Sequence, residues 1–179
     1  VSAGNQEFAE RLNELRESFD RSFALPRSDK SRSFVGVVAI RVSKGQYALR
    51  IDELADVQSA CKVVPLPGAR SEMIGLAGIR GRLVAVYSLA ALLGQGDTKG
   101  WNWLAICNSA QSLALAFDDL EGYLQAPKAD LYPAAEVDGT RAHVGEVLRS
   151  DNVTRIVVST SSIIAMLRDS DSARKGRGL

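Results

Sequence analysis

Histidine is nearly missing from this chain of 179 residues: His143 is the only one, and cysteine occurs twice, at Cys61 and Cys107. One histidine and two distant cysteines outside any CxxC pair cannot assemble a zinc site or a disulfide framework. Such cysteine usage suits a reducing cytosol. Excess charge is missing as well, since 22 Lys and Arg against 21 Asp and Glu leave a formal net charge of +1. The chain therefore carries no global field to draw nucleic acid or an anionic membrane, and recognition has to be local. Aromatic residues are 6% of the sequence, too few to interleave with basic residues as a base-stacking platform, so Trp101 and Trp103 read as packing. The longest nearly unbroken apolar stretch, Leu83 to Leu93, covers eleven positions, whereas a bilayer span needs about 20. Neither nucleic acid nor membrane insertion is expected.

At 46% hydrophobic and 24% charged the chain reads as soluble and globular, and its length is that of one ordinary domain or two very small ones, from which a multi-domain enzyme is not expected. The chain opens at Val1 with neither an initiator Met nor a basic-then-apolar leader, so its true start is expected upstream. Asn152-Val153-Thr154 matches a glycosylation acceptor, a pattern that matters only in a secreted protein and is discounted.

Residues 6–24 are the one strongly helical stretch. Phe8, Leu12, Leu15, Phe19 and Phe23 recur at spacings of four, three, four and four and share one face, with charge on the other. Glu7, Glu10 and Glu14 lie early and Arg21 late, as the helix dipole favours, and Pro26 ends the pattern before a polar linker to Ser33. Five large apolar side chains on one face need a cover. Two remain open: packing on the chain's own domain, or a helix–helix interface with a second copy or a receptor bundle, since the spacing approximates a coiled-coil seam.

From Phe34 onward short runs of Val, Ile and Leu alternate with turn residues, the pattern of small β-barrels or a sandwich. Phe34–Val42 and Tyr47–Ile51 flank Ser43-Lys44-Gly45-Gln46 and predict a hairpin. Leu54–Gln58 comes next, then Lys62–Leu66, where Pro65 and Pro67 argue for an edge. Arg80-Gly81-Arg82 reads as the reversal within Ile74–Val86. Ser88 ahead of Leu89, with Gly94 beyond, caps a short helix. The polar bridge 95–100 reads as the boundary between two subdomains. Trp103–Cys107 with Ser112–Phe117, and His143–Arg149 with Val153–Ser159, predict two more hairpins, with Leu113, Leu115 and Phe117 on one face. Ser161–Leu167 then closes with a short helix, and 169–179 reads as a disordered basic tail.

Catalytic patterns are thin. Cys61 or Cys107 with His143 is the only combination for a Cys/His hydrolase, and both cysteines fall in strand-like runs where a thiol is usually a small core residue. Asp118, Asp119 and Glu121 come after a strand and read as a solvated turn rather than an acid/base pair. Gly75-Leu76-Ala77-Gly78-Ile79-Arg80-Gly81 has neither the order nor the following helix of a dinucleotide loop, and the glycines near 94–96 lack the GK[ST] ending of a phosphate loop. No cofactor or metal is indicated.

The order Val63-Val64-Pro65-Leu66-Pro67, then Gly75 to Gly81, then Arg82-Leu83-Val84-Ala85-Val86 leading into a short helix, resembles the CheW family of bacterial chemotaxis coupling proteins. Tyr47–Val57, ending Leu54-Ala55-Asp56-Val57, is similar to the family's second strand and its ending, and Ala142–Leu167 to its closing hairpin and helix. The resemblance covers roughly residues 34–168. It implies an all-β fold of two small interlocked five-stranded SH3-like barrels, here with an added N-terminal helix. It also implies a non-catalytic cytoplasmic adaptor joining the cytoplasmic tip of methyl-accepting chemoreceptors to the regulatory domain of a CheA-type histidine kinase, with self-association a further expectation. Arg80 matches the family's interaction arginine, and Leu54, Asp56, Gly75 and Gly81 fall at or beside similar contact positions. A detached kinase regulatory domain, which shares the fold, is the alternative reading.

Overall fold

The computed structural model describes residues 33–96, 100–109, 112–134, 143–150 and 153–175, with backbone alone for 171–175. The N-terminal helix expected over 6–24, with Phe8, Leu12, Leu15, Phe19 and Phe23, lies outside the described residues.

Twelve strands make two six-stranded sheets among these residues. The first sheet holds β1 (Phe34–Val42), β2 (Gly45–Arg50), β9 (Asp119–Pro127), β10 (Leu131–Pro133), β11 (Val144–Ser150) and β12 (Val153–Val158), in the order β10-β11-β12-β2-β1-β9. The second holds β3 (Leu54–Ser59), β4 (Val63–Val64), β5 (Met73–Ile79), β6 (Arg82–Ser88), β7 (Trp103–Cys107) and β8 (Leu113–Phe117), in the order β3-β7-β8-β6-β5-β4. Each sheet thus has five strands of five residues or more and one short strand at an edge. The two sheets also repeat one topology. In each, a tight hairpin (β1–β2 or β5–β6) meets a second hairpin (β11–β12 or β7–β8) through one parallel pair, β2 with β12 and β6 with β8.

Both sheets curl. Arg155 on β12 reaches Glu121 on β9 at 3.1 Å, although three strand spacings, about 14 Å, would separate those strands in a flat sheet. Arg80, between β5 and β6, reaches Asp56 on β3 at 2.7 Å across the same interval. Curling gives each sheet an inside. Val35, Val37, Ala48, Ala126, Leu148 and Val157 fill the first, and Ala77, Ile79, Val84, Val86, Leu104, Ala114 and Ala116 the second. The largest cluster lies between them, with seventeen buried residues against six and seven inside the sheets, including Ile40, Tyr47, Leu49, Leu115 and Phe117. The alternation along β8 sorts its side chains accordingly: Leu113, Leu115 and Phe117 face this seam, while Ala114 and Ala116 face the second interior.

Local signals explain the elements. Ser88 Oγ accepts the Ala91 amide at 3.2 Å and starts α1 (Leu89–Leu92), and Gly94 ends it at φ +70°. The segment from 95 does not separate the two sheets, contrary to the expectation for the bridge 95–100. Gln95 donates to the buried Tyr47 hydroxyl, and the chain then re-enters the second sheet as β7. The crossings fall elsewhere, at a 3-10 turn over Ile51–Glu53 and at Asp118. The closing helix α2 spans Thr160–Lys175, longer than the predicted Ser161–Leu167. It continues through the residues read as the start of a disordered tail because no Gly or Pro interrupts the chain before Gly176. Ile163 and Leu167 bury its apolar face in the seam. No helix among the described residues is long and apolar enough to cross a membrane.

Candidate partner-binding surface

The reversal between β5 and β6 is a two-residue loop, with Ile79 opposite Arg82 and Arg80 and Gly81 at φ +50° and +75°. Two positive φ values in succession match the hairpin turn whose twist suits the flanking strands. Gly81 takes that conformation freely, while Arg80 holds it at a cost of about 1 kcal/mol that Gly or Asn would largely avoid. The backbone does not ask for an arginine here.

The Arg80 side chain is 74% exposed, and its guanidinium gives one N–H to Asp56 Oδ2 at 2.7 Å. Asp56 is aimed by its own strand: Ala55 bulges out of the β3–β7 register, and Asp56 Oδ1 accepts the Val57 amide at 2.9 Å. The pair is too exposed to add much to stability. It does hold the arginine in place with further N–H donors facing outward, a geometry suited to a carboxylate or to carbonyls at a helix end.

Leu83, next to this turn, and Val64, further along the same ladder, are exposed apolar side chains that sequence reading did not single out. Leu83 is 72% and Val64 57% exposed, with Leu66 on the same edge. Val64 stands opposite Leu76, and Leu83 opposite Gly78, whose lack of a side chain leaves Leu83 uncovered. The buried alternation of Val84 and Val86 is the signal that could have placed Leu83 on the outer face. An exposed arginine beside exposed aliphatic groups is the composition of a protein-contact surface.

The other predicted positions take different places. Leu54 is half-buried against the seam. Gly75 is buried at φ +154°, and a Cβ there would collide with the Val64 carbonyl oxygen, so it admits the close approach of β4. What it contributes is the seating of the Val64 strand.

The geometry does not assemble the Cys/His pair. Cys107 is buried, and burial together with the nearby Glu53 charge pushes its thiol up to about 12, far from a thiolate at neutral pH. His143 Nδ1 lies instead 3.0 Å from Ser162 Oγ. The acidic group after β8 is not a solvated turn either. Asp118 Oδ2 accepts the Ser43 amide at 2.5 Å, and Asp119 and Glu121 belong to β9. Burial pushes the Glu121 carboxyl up, but hydrogen bonds from Arg41 and Arg155 outweigh it and hold the pKa below the ordinary value. Among the described residues no cluster of His, Cys, Asp and Glu could hold a metal ion.

Comparison with known proteins agrees with this fold. No curated protein matches the sequence. Among solved structures, the crystal structure of the scaffolding protein TtCheW from Thermoanaerobacter tengcongensis is similar, with 18% identity and a TM-score of 0.65 over 70% of this chain and 89% of that one. The CheW-like domain matches residues 36–168, nearly the whole of the two sheets and the start of α2, and the chain belongs to that family.

Proposed function

We propose that the chain is a non-catalytic adaptor that couples the cytoplasmic tip of a chemoreceptor to the regulatory domain of a CheA-type histidine kinase, working in the cytoplasm within a receptor array. The family supports an adaptor in chemotaxis signalling. The observation that carries the reading is the Arg80 guanidinium, set on a strained turn and held by Asp56 through one bond, with Leu83 uncovered just beyond the turn. A partner presenting a carboxylate or a helix C-terminus beside an apolar side chain would meet both features.

The test is calorimetric titration of the chain with a receptor-tip fragment and, separately, with a kinase regulatory domain. Arg80→Glu is expected to leave the fold intact and to weaken binding by about 1.5–3 kcal/mol, the size of a lost charge-assisted contact. Unchanged affinity for both partners would refute the interface role of Arg80.

A further inference from the structure

Glu53 lies at the first crossing between the sheets, one residue before β3. Its carboxylate oxygen Oε2 accepts two bonds from the first residue of α2, the Thr160 amide at 3.1 Å and the Thr160 hydroxyl at 2.6 Å. Its backbone carbonyl accepts the Asn108 amide at 2.8 Å, just beyond β7. One residue thereby joins the crossing, the start of α2 and the end of β7, elements more than fifty residues apart in the chain. An ordinary cap does not need it, because Ser159 Oγ already accepts the Ser162 amide at 3.2 Å in the usual capping role. Thr160 is almost wholly buried, so both of its donors depend on Glu53 for a partner.

The strand that leaves Glu53 matters more than the helix it caps. Leu54 pairs with Cys107, Ala55 bulges, and Asp56 pairs with Ile106, so the register that aims Asp56 toward Arg80 is decided within three residues of this junction. We propose that Glu53 is a positioning residue for partner binding: by fixing the crossing to α2 and β7 it sets the register of β3, and through Asp56 the placement of the Arg80 guanidinium. The inference rests on the adaptor reading and adds to it a residue that does not itself touch the partner. A cleft lined by Arg50, Asp52, Glu53, Glu146 and Ser159 opens beside the junction, so water can reach it when the carboxylate is removed and the fold can survive the loss.

The experiment measures affinity of the full chain for a receptor-tip fragment and for a kinase regulatory domain, well below the melting temperature, for wild type, Glu53→Ala, Glu53→Gln and Arg80→Glu. Amide exchange of residues 54–59 is monitored in parallel. Glu53→Ala is expected to lower affinity about threefold to tenfold and to speed exchange along β3. Glu53→Gln, whose amide oxygen can still accept from Thr160, should recover most of both. Wild-type affinity in Glu53→Ala, alongside weakened binding in Arg80→Glu, overturns the positioning role and leaves the adaptor intact. If the wild-type chain binds neither partner, the adaptor reading fails and the positioning role with it. Should Glu53→Ala not fold, Thr160→Val removes the hydroxyl donor at nearly constant volume. A smaller loss in the same direction supports the proposal, and undiminished affinity overturns it.

Discussion

At Arg80 the demands of the backbone and of the proposed binding role pull in opposite directions. The turn prefers Asn or Gly at its first position, and the exposed pair with Asp56 repays little of the cost. Arg80→Asn should therefore raise the stability of the isolated chain, by about 0.5–1 kcal/mol in urea denaturation, while weakening partner binding. A lower urea midpoint would show that the ion pair outweighs the strain. His143 gives a second residue-scale expectation. Burial lowers its pKa below the ordinary 6.5 in the folded chain, so the neutral ring is the form the fold accommodates. Stability from this group is fully present above pH 6.5 and is lost as pH falls through the lowered folded value, because the unfolded chain takes up the proton first. Denaturation midpoints measured from about pH 7.5 down to about 5 should fall, and His143→Gln should flatten that slope. The sequence made Arg80 legible because a basic residue on a glycine reversal stands out. Glu53, Leu83 and the burial of Gly75 were not legible, since each depends on a neighbour from a distant strand.

Among the elements, the hairpins were readable from period-two alternation and turn residues, and β5–β6, β7–β8 and β11–β12 formed as the sequence predicts. β9 was not. Its run Asp119 to Pro127 carries charge and Gly122, and only Ala126 of this edge strand is buried, so its alternation is too weak to separate from a turn. The length of α2 was missed for a related reason, its last turns being helical without an apolar face to announce them. β8 offers the sharpest test of facing. Leu115 is fully buried in the seam, while Ser112, just before the strand, is exposed. Leu115→Ala should cost about 2–5 kcal/mol in chemical denaturation and Ser112→Ala close to nothing. Equal, small effects would mean that the seam does not hold the sheets together.

For the molecule as a whole, the distribution of buried residues decides the cooperativity. Neither sheet interior holds half as many as the seam, so neither has a core sufficient to stand alone. Residues 33–175 are expected to unfold in one transition, with calorimetric and van't Hoff enthalpies equal; two resolved transitions would show the sheets to be independent. The expected subdomain boundary near 95–100 fell inside one sheet because a polar, glycine-rich segment marks a surface loop without saying which sheets it connects. The true crossings are short and pass at Ile51–Glu53 and Asp118. This places the whole second sheet, β3 to β8, as an insertion between the two halves of the first. A ribosome therefore releases every strand of the inserted sheet while the β1–β2 hairpin still lacks both its neighbours, β9 and β12, which follow it in the chain. The β1–β2 hairpin waits with two open edges until β9 to β12 arrive, and because the inserted sheet has no sufficient core of its own, its strands depend on that arrival too. Truncation soon after Asp118 is accordingly expected to leave an open sheet rather than a shorter domain.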